Sequence, residues 1–211
     1  MSRGRFVTLE GGEGAGKSTQ TALLAEALRS AGLEVVTTRE PGGAPGAEEI
    51  RKLLVEGEIG RWDPISELLL YAAARRDHVR TLIAPSLARG AWVLCDRFSD
   101  STMAYQGYGH GLGAAPVEAV QRLAIGDLVP DLTLILDLPP EIGLARARGR
   151  RKGGTRYERM DLDFHRRLRD GFLAIARRAP ARCRVIDARG PVQEVQSALR
   201  NEVSRCLLVQ L

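Results

Sequence analysis

The strongest constraint on the fold of this chain is the stretch GGEGAGKS, Gly11 to Ser18. It lies between an apolar run, RFVTLE (5–10), and a helical pattern, KSTQTALLAEALRSAG (17–32). The stretch fits G-x-x-x-x-G-K-[ST] in the setting that gives the motif its meaning, with a strand before it and a helix after it. Gly11, Gly12, Gly14 and Gly16, with Glu13 and Ala15 between them, let backbone N–H groups turn inward around phosphates. The helix N-terminus adds a favourable dipole for an anion. Lys17 neutralises phosphate charge, Ser18 is a Mg²⁺ ligand by type, and Thr19 follows in the first helical turn. The pattern specifies a nucleoside triphosphate without choosing between kinase, switch and motor.

The alternation continues along the chain. LEVVTTRE (33–40), AWVLCD (91–96), LTLILD (132–137) and CRVID (183–187) read as further apolar strands. Leu23, Leu24, Ala27 and Leu28 recur at helical spacing, and Gly32 stands where a helix ends. Further helices are predicted around 46–56, across 63–89 with a break at Pro85, and over 116–127, 140–149, 161–178 and 191–207. Apolar strands alternating with helices predict an α/β fold of three layers, with a five-stranded parallel sheet and helices on both faces. The 211 residues make one domain, residues 1–211, with a short mobile lid at about 148–160. Ligands on such a sheet bind at the carboxyl ends of the strands. Here those ends carry EGGEGAGKST, REPGG, DRF and LDLPPE.

Charge separates the function classes. The net charge of +5 is local: residues 146–169 hold ten Arg or Lys against three acids, and the rest of the chain is nearly balanced. A protein that coats nucleic acid spreads its basic residues along a face, so no nucleic-acid partner is expected. The three cysteines, Cys95, Cys183 and Cys206, show no CxxC spacing, which fits a reducing compartment. No stretch has the ~18 apolar residues of a membrane span, and the start resembles no secretory signal. A cytoplasmic protein without membrane contact is expected. NKxD, a paired DE at a strand end, and the HRD/DFG set of protein kinases are all missing from the sequence.

A second set of residues lies past the strand ends. Asp96 and Arg97 either serve a Mg²⁺-bound water and a phosphate or form an ordinary turn ion pair. Ser101, Thr102, Tyr105 and Gln106 suit a base or sugar, or else line a solvated glycine loop. Tyr71 and Arg75 share a helix face at i, i+4, placed either to stack on a base and bond its carbonyl or to pack plainly.

Together EGGEGAGKST, TREPGG, YAAAR, DRFSDSTMAYQG, PDLTLILDLPPEIGLARAR and VIDA resemble, in order and spacing, the thymidylate kinase family of P-loop nucleoside monophosphate kinases. The resemblance implies transfer from ATP, with Mg²⁺, to dTMP, yielding ADP and dTDP, by a homodimeric enzyme of dTTP synthesis. It implies that Tyr71 stacks on thymine, that Arg75 bonds O4, and that Thr102 and Gln106, with Ser101 close by, read the base edge. Tyr105 falls where an aromatic disfavours a ribose 2′-OH. Glu13 matches an acid near the deoxyribose and acceptor phosphate. Arg39, Arg51 and Arg97, with Pro41 beside them, match residues that position the monophosphate. Arg146 matches a residue near the donor adenine, which VIDA (185–188) runs past. The GxGRG stretch of bacterial members reads GYGHG here, with His110.

A phosphate monoester is largely ionised at neutral pH, with a second pKa of about 6. No general base is required, and catalysis becomes alignment and neutralisation of two anions by Lys17, Mg²⁺ and converging arginines. An arginine on the transferring group is worth on the order of 10³–10⁵ in rate. The phosphate loop holds none, so the lid is expected to supply it, with Arg156 first and Arg148, Arg150 and Arg151 as rivals. Gly153 and Gly154 would be the hinge. A nucleic-acid-dependent ATPase and a slow switch ATPase are the competing readings, and both leave TREPGG and STMAYQG without a use.

Overall fold

The computed structural model describes residues 3–149 and 156–211. Five parallel strands, β1 Phe6–Glu10, β2 Val35–Arg39, β3 Trp92–Asp96, β4 Leu132–Asp137 and β5 Cys183–Asp187, form one sheet in the order β2-β3-β1-β4-β5. β1 pairs with β3 (Val7 opposite Leu94) and with β4 (Val7 opposite Leu132). The sheet has the five strands and all-parallel pairing that the alternation predicts.

The apolar runs are buried because both faces of the sheet are covered. On one face Val7, Leu9, Leu94, Leu134 and Leu136 pack with Leu24 and Leu28 of α1 (Lys17–Ser30) and with Leu199 and Val203 of α9 (Val192–Leu207). On the other, Phe6, Val93 and Cys95 pack with Phe98, Ile83 and Leu87. Ile135 on that side joins Val117 of α6 (Ala114–Ile125) and Phe172 and Ile175 of α8 (Leu162–Arg178).

The remaining helices are α2 (Pro45–Val55), α3 (Pro64–His78), α4 (Ala84–Ala88), α5 (Ser99–Thr102) and α7 (Pro140–Arg148). Asp63 caps α3, accepting from Ile65 N at 3.0 Å and Ser66 N at 3.2 Å, with Pro64 in the first turn. The break expected at Pro85 takes a different form. A π-helical turn, Val79–Ile83, joins α3 to α4, so the rod continues with a bulge just ahead of the proline. The sequence pattern predicts no helix or strand over residues 99–109. They form α5 and a π-helical segment, Met103–Gly109, whose residues are mostly buried against α8. A polar string at a strand end reads as loop because its partners lie far away in the chain.

Candidate active site

The loop after β1 is set by close backbone packing. Gly14 has φ 70°, and a Cβ there would stand 1.9 Å from the Gly143 carbonyl oxygen on α7. The converse also holds: a Cβ on Gly143 would meet the Glu13 carbonyl oxygen at 2.2 Å. The loop therefore rests on α7 glycine against glycine. Lys17 Nζ donates to Gly12 O at 2.8 Å, closing the loop on itself. Burial and the nearby Arg97 push the Lys17 ammonium down to about 8, against the carboxylates of Asp96, Glu13 and Glu10. Ser18 Oγ donates to Asp96 Oδ2 at 2.5 Å, so a hydroxyl and a carboxylate stand together beside the loop.

Arg97 follows β3 in the left-handed region, at φ 71°. Its N–H donates to Leu9 O at 2.9 Å, which ties the turn to β1. Its guanidinium donates to Gly11 O (2.9 Å), Ser101 Oγ (3.1 Å) and Glu13 Oε1 (3.1 Å), and lies over the Tyr105 ring. Tyr105 also donates to Glu13 Oε1, at 2.6 Å. Glu10 lies beneath this turn with no exposure, accepting from Phe98 N at 2.7 Å and Ser101 Oγ at 2.5 Å. Burial and Asp100 push it up to about 8, against Ser101, Arg97 and Phe98.

A cavity opens from the loop toward α3, lined by Glu13, Lys17, Ser18, Arg39, Glu40, Pro41, Arg51, Tyr71, Arg75, Asp96, Arg97, Ser101, Thr102, Tyr105, Gln106 and Tyr157 among others. Arg51 Nη1 donates to Pro41 O at 2.6 Å and Arg39 pairs with Glu48 at 3.0 Å. Both arginines also line a second opening with Gly14, Gly16, Lys17, Ala147 and Glu158. Arg75 is 2% exposed. It donates through Nε to Glu40 at 2.7 Å and through Nη2 to Phe98 O and Thr102 Oγ1, and its Nη1 has no partner. Burial pushes the Tyr71 hydroxyl up to about 12, and that hydroxyl donates to Tyr157 at 3.0 Å.

The structure thus gathers the predicted acceptor residues around one cavity, with Glu13, Lys17 and Ser18 of the loop. Thr19 is exposed on α1 beside Ser18. Arg146 stands apart, bonding Ala188 O at 3.0 Å and Arg189 O at 2.9 Å, which brings α7 against the end of VIDA. Arg156, the first candidate for the transferring group, is held by other residues in this structure. It is 3% exposed, and its Nη2 donates to Glu67 Oε2 at 2.7 Å and to Tyr157 at 3.1 Å. It is not among the groups lining either opening beside the loop, because a buried carboxylate holds it. Arg148 is exposed at the end of α7. Arg150, Arg151, Gly153 and Gly154 lie outside the described residues. Sequence reasoning missed Glu10, Glu40, Glu67, Gly143 and Tyr157. Only Glu67 left a signal, at i−4 from Tyr71 on the same helix face.

A model of the thymidylate kinase family matches residues 9–199. A curated thymidylate kinase of Caulobacter vibrioides is 56% identical over 203 residues, covering 96% of this chain and 97% of that one. One from Rhodopseudomonas palustris (strain TIE-1) is 56% identical over 211 residues, covering 98% and 91%. The crystal structure of thymidylate kinase from Ehrlichia chaffeensis superposes with a TM-score of 0.79 at 38% identity, covering 96% of this chain and 99% of that chain.

Proposed function

We infer the reaction from the premise that this chain belongs to the thymidylate kinase family: it is a kinase that transfers the γ-phosphoryl group of ATP to dTMP, giving ADP and dTDP. The observation that carries the reading to the residues is the cavity that adjoins the phosphate loop. It is lined by Arg39, Arg51 and Arg97 at the end near Lys17 and by Tyr71, Arg75 and Gln106 at the other. A nucleoside monophosphate has the same two ends, an anion and a flat polar base.

In this reading the acceptor phosphate lies among Arg39, Arg51 and Arg97 and presents an ionised oxygen to the γ-phosphorus of ATP. That oxygen forms the new P–O bond as the bond to the β-phosphate breaks, and no proton has to leave the acceptor. Arg97 is held by Gly11 O, Ser101 and Glu13, so it meets the phosphate in a fixed orientation. Glu13 accepts from both Arg97 and Tyr105, which supports a reading of Tyr105 as a wall beside the sugar. Lys17, at the loop, neutralises the donor phosphates as transfer proceeds.

The residues fit a Mg²⁺ ion. Ser18 and Asp96 bring two hard oxygens together, and among the described residues no three His, Cys, Asp or Glu side chains are grouped so as to hold a metal. That matches an ion held mainly by substrate phosphates and water. Ser18 would hold it directly and Asp96 through water. When bound it screens the charge of the donor phosphates.

The lid arginine is the finer part of the reading. Arg156 adjoins Tyr157, which lines the cavity, and its assistance would require it to exchange Glu67 for the transferring group. Arg146, on α7, is proposed beside the donor base. A homodimer is proposed from the apolar side chains that α3 and α6 expose, Ile65 and Leu69 on one and Leu123 on the other. No helix among the described residues is long and apolar enough to cross a membrane. Its ATP substrate and three free cysteines favour the cytoplasm.

The test is ADP formation from ATP and Mg²⁺ with dTMP, dUMP, UMP, CMP, AMP or single-stranded DNA. Turnover with dTMP well above the others is expected, and stimulation by DNA but not by dTMP would overturn the reading.

A further inference from the structure

The base end of the cavity is organised around Glu67, to which the reading above gives no role toward the base. It lies on α3, four residues before Tyr71, and is 1% exposed. Gln106 Nε2 donates to its Oε1 at 2.6 Å, Arg156 Nη2 donates to Oε2 at 2.7 Å, and Tyr157 donates to Oε1. His110 Nε2 stands 3.6 Å away. Burial raises the Glu67 carboxyl, but His110, Tyr157 and Arg156 outweigh burial and hold it below its usual value. Glu67 is therefore ionised at neutral pH and can only accept hydrogen bonds.

A partner that only accepts decides which way an amide turns. Gln106 must give its NH₂ to Glu67, and its carbonyl is what remains. That carbonyl oxygen is buried with no partner. Arg75, on the same cavity, spends Nε on Glu40 and Nη2 on Phe98 and Thr102, and its Nη1 is likewise buried with no partner. Among the described side chains that line the cavity, one donor, Arg75 Nη1, and one acceptor, Gln106 Oε1, are buried and unmatched. Unmatched buried polar groups are costly, and a ligand is the usual remedy at a site. The imide edge of a pyrimidine matches both, since O4 accepts from Arg75 and N3–H donates to Gln106. Cytosine matches neither, because its N4 amine faces the donor and its bare N3 faces the acceptor.

We propose that Glu67 is a positioning residue: by accepting from Gln106 it fixes that amide with its carbonyl left for the base, and so selects an imide pyrimidine over cytosine. The inference rests on the reading of this cavity as the dTMP site.

Glu67→Gln tests it, because a glutamine keeps the shape but both donates and accepts, which frees Gln106 to turn over. The measurement is kcat/KM for dTMP, dUMP and dCMP. The dCMP:dTMP ratio is expected to rise about tenfold or more, since hydrogen-bond mismatch is what rejected dCMP. The dUMP:dTMP ratio should hold, because dUMP has the same imide edge. Parallel loss on all three substrates would make Glu67 merely structural and overturn the proposal. Gln106→Met removes the amide at similar length and is expected to raise the dCMP:dTMP ratio by itself. Adding Glu67→Gln to it should shift that ratio no further. If Glu67→Gln shows no melting transition, an unchanged ratio in Gln106→Met overturns the proposal. A wild-type protein inactive on dTMP refutes the kinase reading, whereas an active one whose ratio stays fixed in Glu67→Gln refutes this inference alone.

Discussion

Four carboxylates tie together many of the side chains in and around the cavity. Glu13 takes Arg97 and Tyr105, Glu40 takes Arg75 and His78, Glu67 takes Gln106, Arg156 and Tyr157, and Glu10 takes Phe98 N and Ser101. Glu10 gives a pH signature. Burial and Asp100 raise it from 4.5 to about 8, so between those values the folded state keeps a proton that the unfolded chain releases. Its stabilisation is complete at low pH and is lost as pH rises through about 8. Glu10→Gln cannot ionise. Its Tm should fall less than that of the wild-type protein between about pH 6 and 8, as read by thermal melts across that range. Lys17, pushed down to about 8 by burial and Arg97, acts in the opposite sense above that range. Arg156 belongs to the same scale. Arg156→Ala is expected to lower kcat by about tenfold or more with KM for dTMP little changed, if it leaves Glu67 to assist transfer. Steady-state kinetics decide, and a raised KM with unchanged kcat assigns Arg156 to the Glu67 cluster instead.

At the scale of elements, the phosphate loop works because α7 comes close enough to support it. Gly143 permits that approach, and nothing in the glycine-rich motif itself announces it. Gly143→Ala puts a Cβ 2.2 Å from the Glu13 carbonyl oxygen. One of the two segments must move, and the loop is the lighter of the two. Binding titrations should show ATP affinity reduced by about tenfold or more, because displaced N–H groups no longer converge on the phosphates. The melting temperature should shift less, since neither Gly143 nor Glu13 belongs to the main core clusters. The π-helical segment Met103–Gly109 does comparable work at the other end of the cavity. It turns Tyr105 and Gln106 into the cavity wall while packing on α8. A register one residue away would turn other side chains inward, so its wide turn decides which side chains line the cavity.

Over the whole molecule, the parallel sheet delivers β1 and β3 side by side, and the donor loop and the Asp96–Arg97 turn leave from their adjacent ends. Apolar side chains are left on the outside of α3 and α6. Leu123 is 86% exposed on α6 and Leu69 53% exposed on its neighbour α3. Leu69→Asp with Leu123→Asp is expected to convert a dimer to a monomer in light scattering, with the fold kept, because neither side chain is in the core. The strands, the phosphate loop and the order of helices were legible in the chain, since each depends on neighbours a few residues apart. A glycine run between an apolar strand and a helix, or leucines at helical spacing, needs no distant partner to be read. The orientation of Gln106, the partner of Arg156, the buried acid at Glu10 and the contact at Gly143 were not legible. Glu67 lies 39 residues from Gln106 and 89 from Arg156, and Glu10 lies 88 from Phe98. Such contacts exist only once the sheet has brought the segments together, and in its dry interior a carboxylate takes whichever cation or amide the fold places within reach.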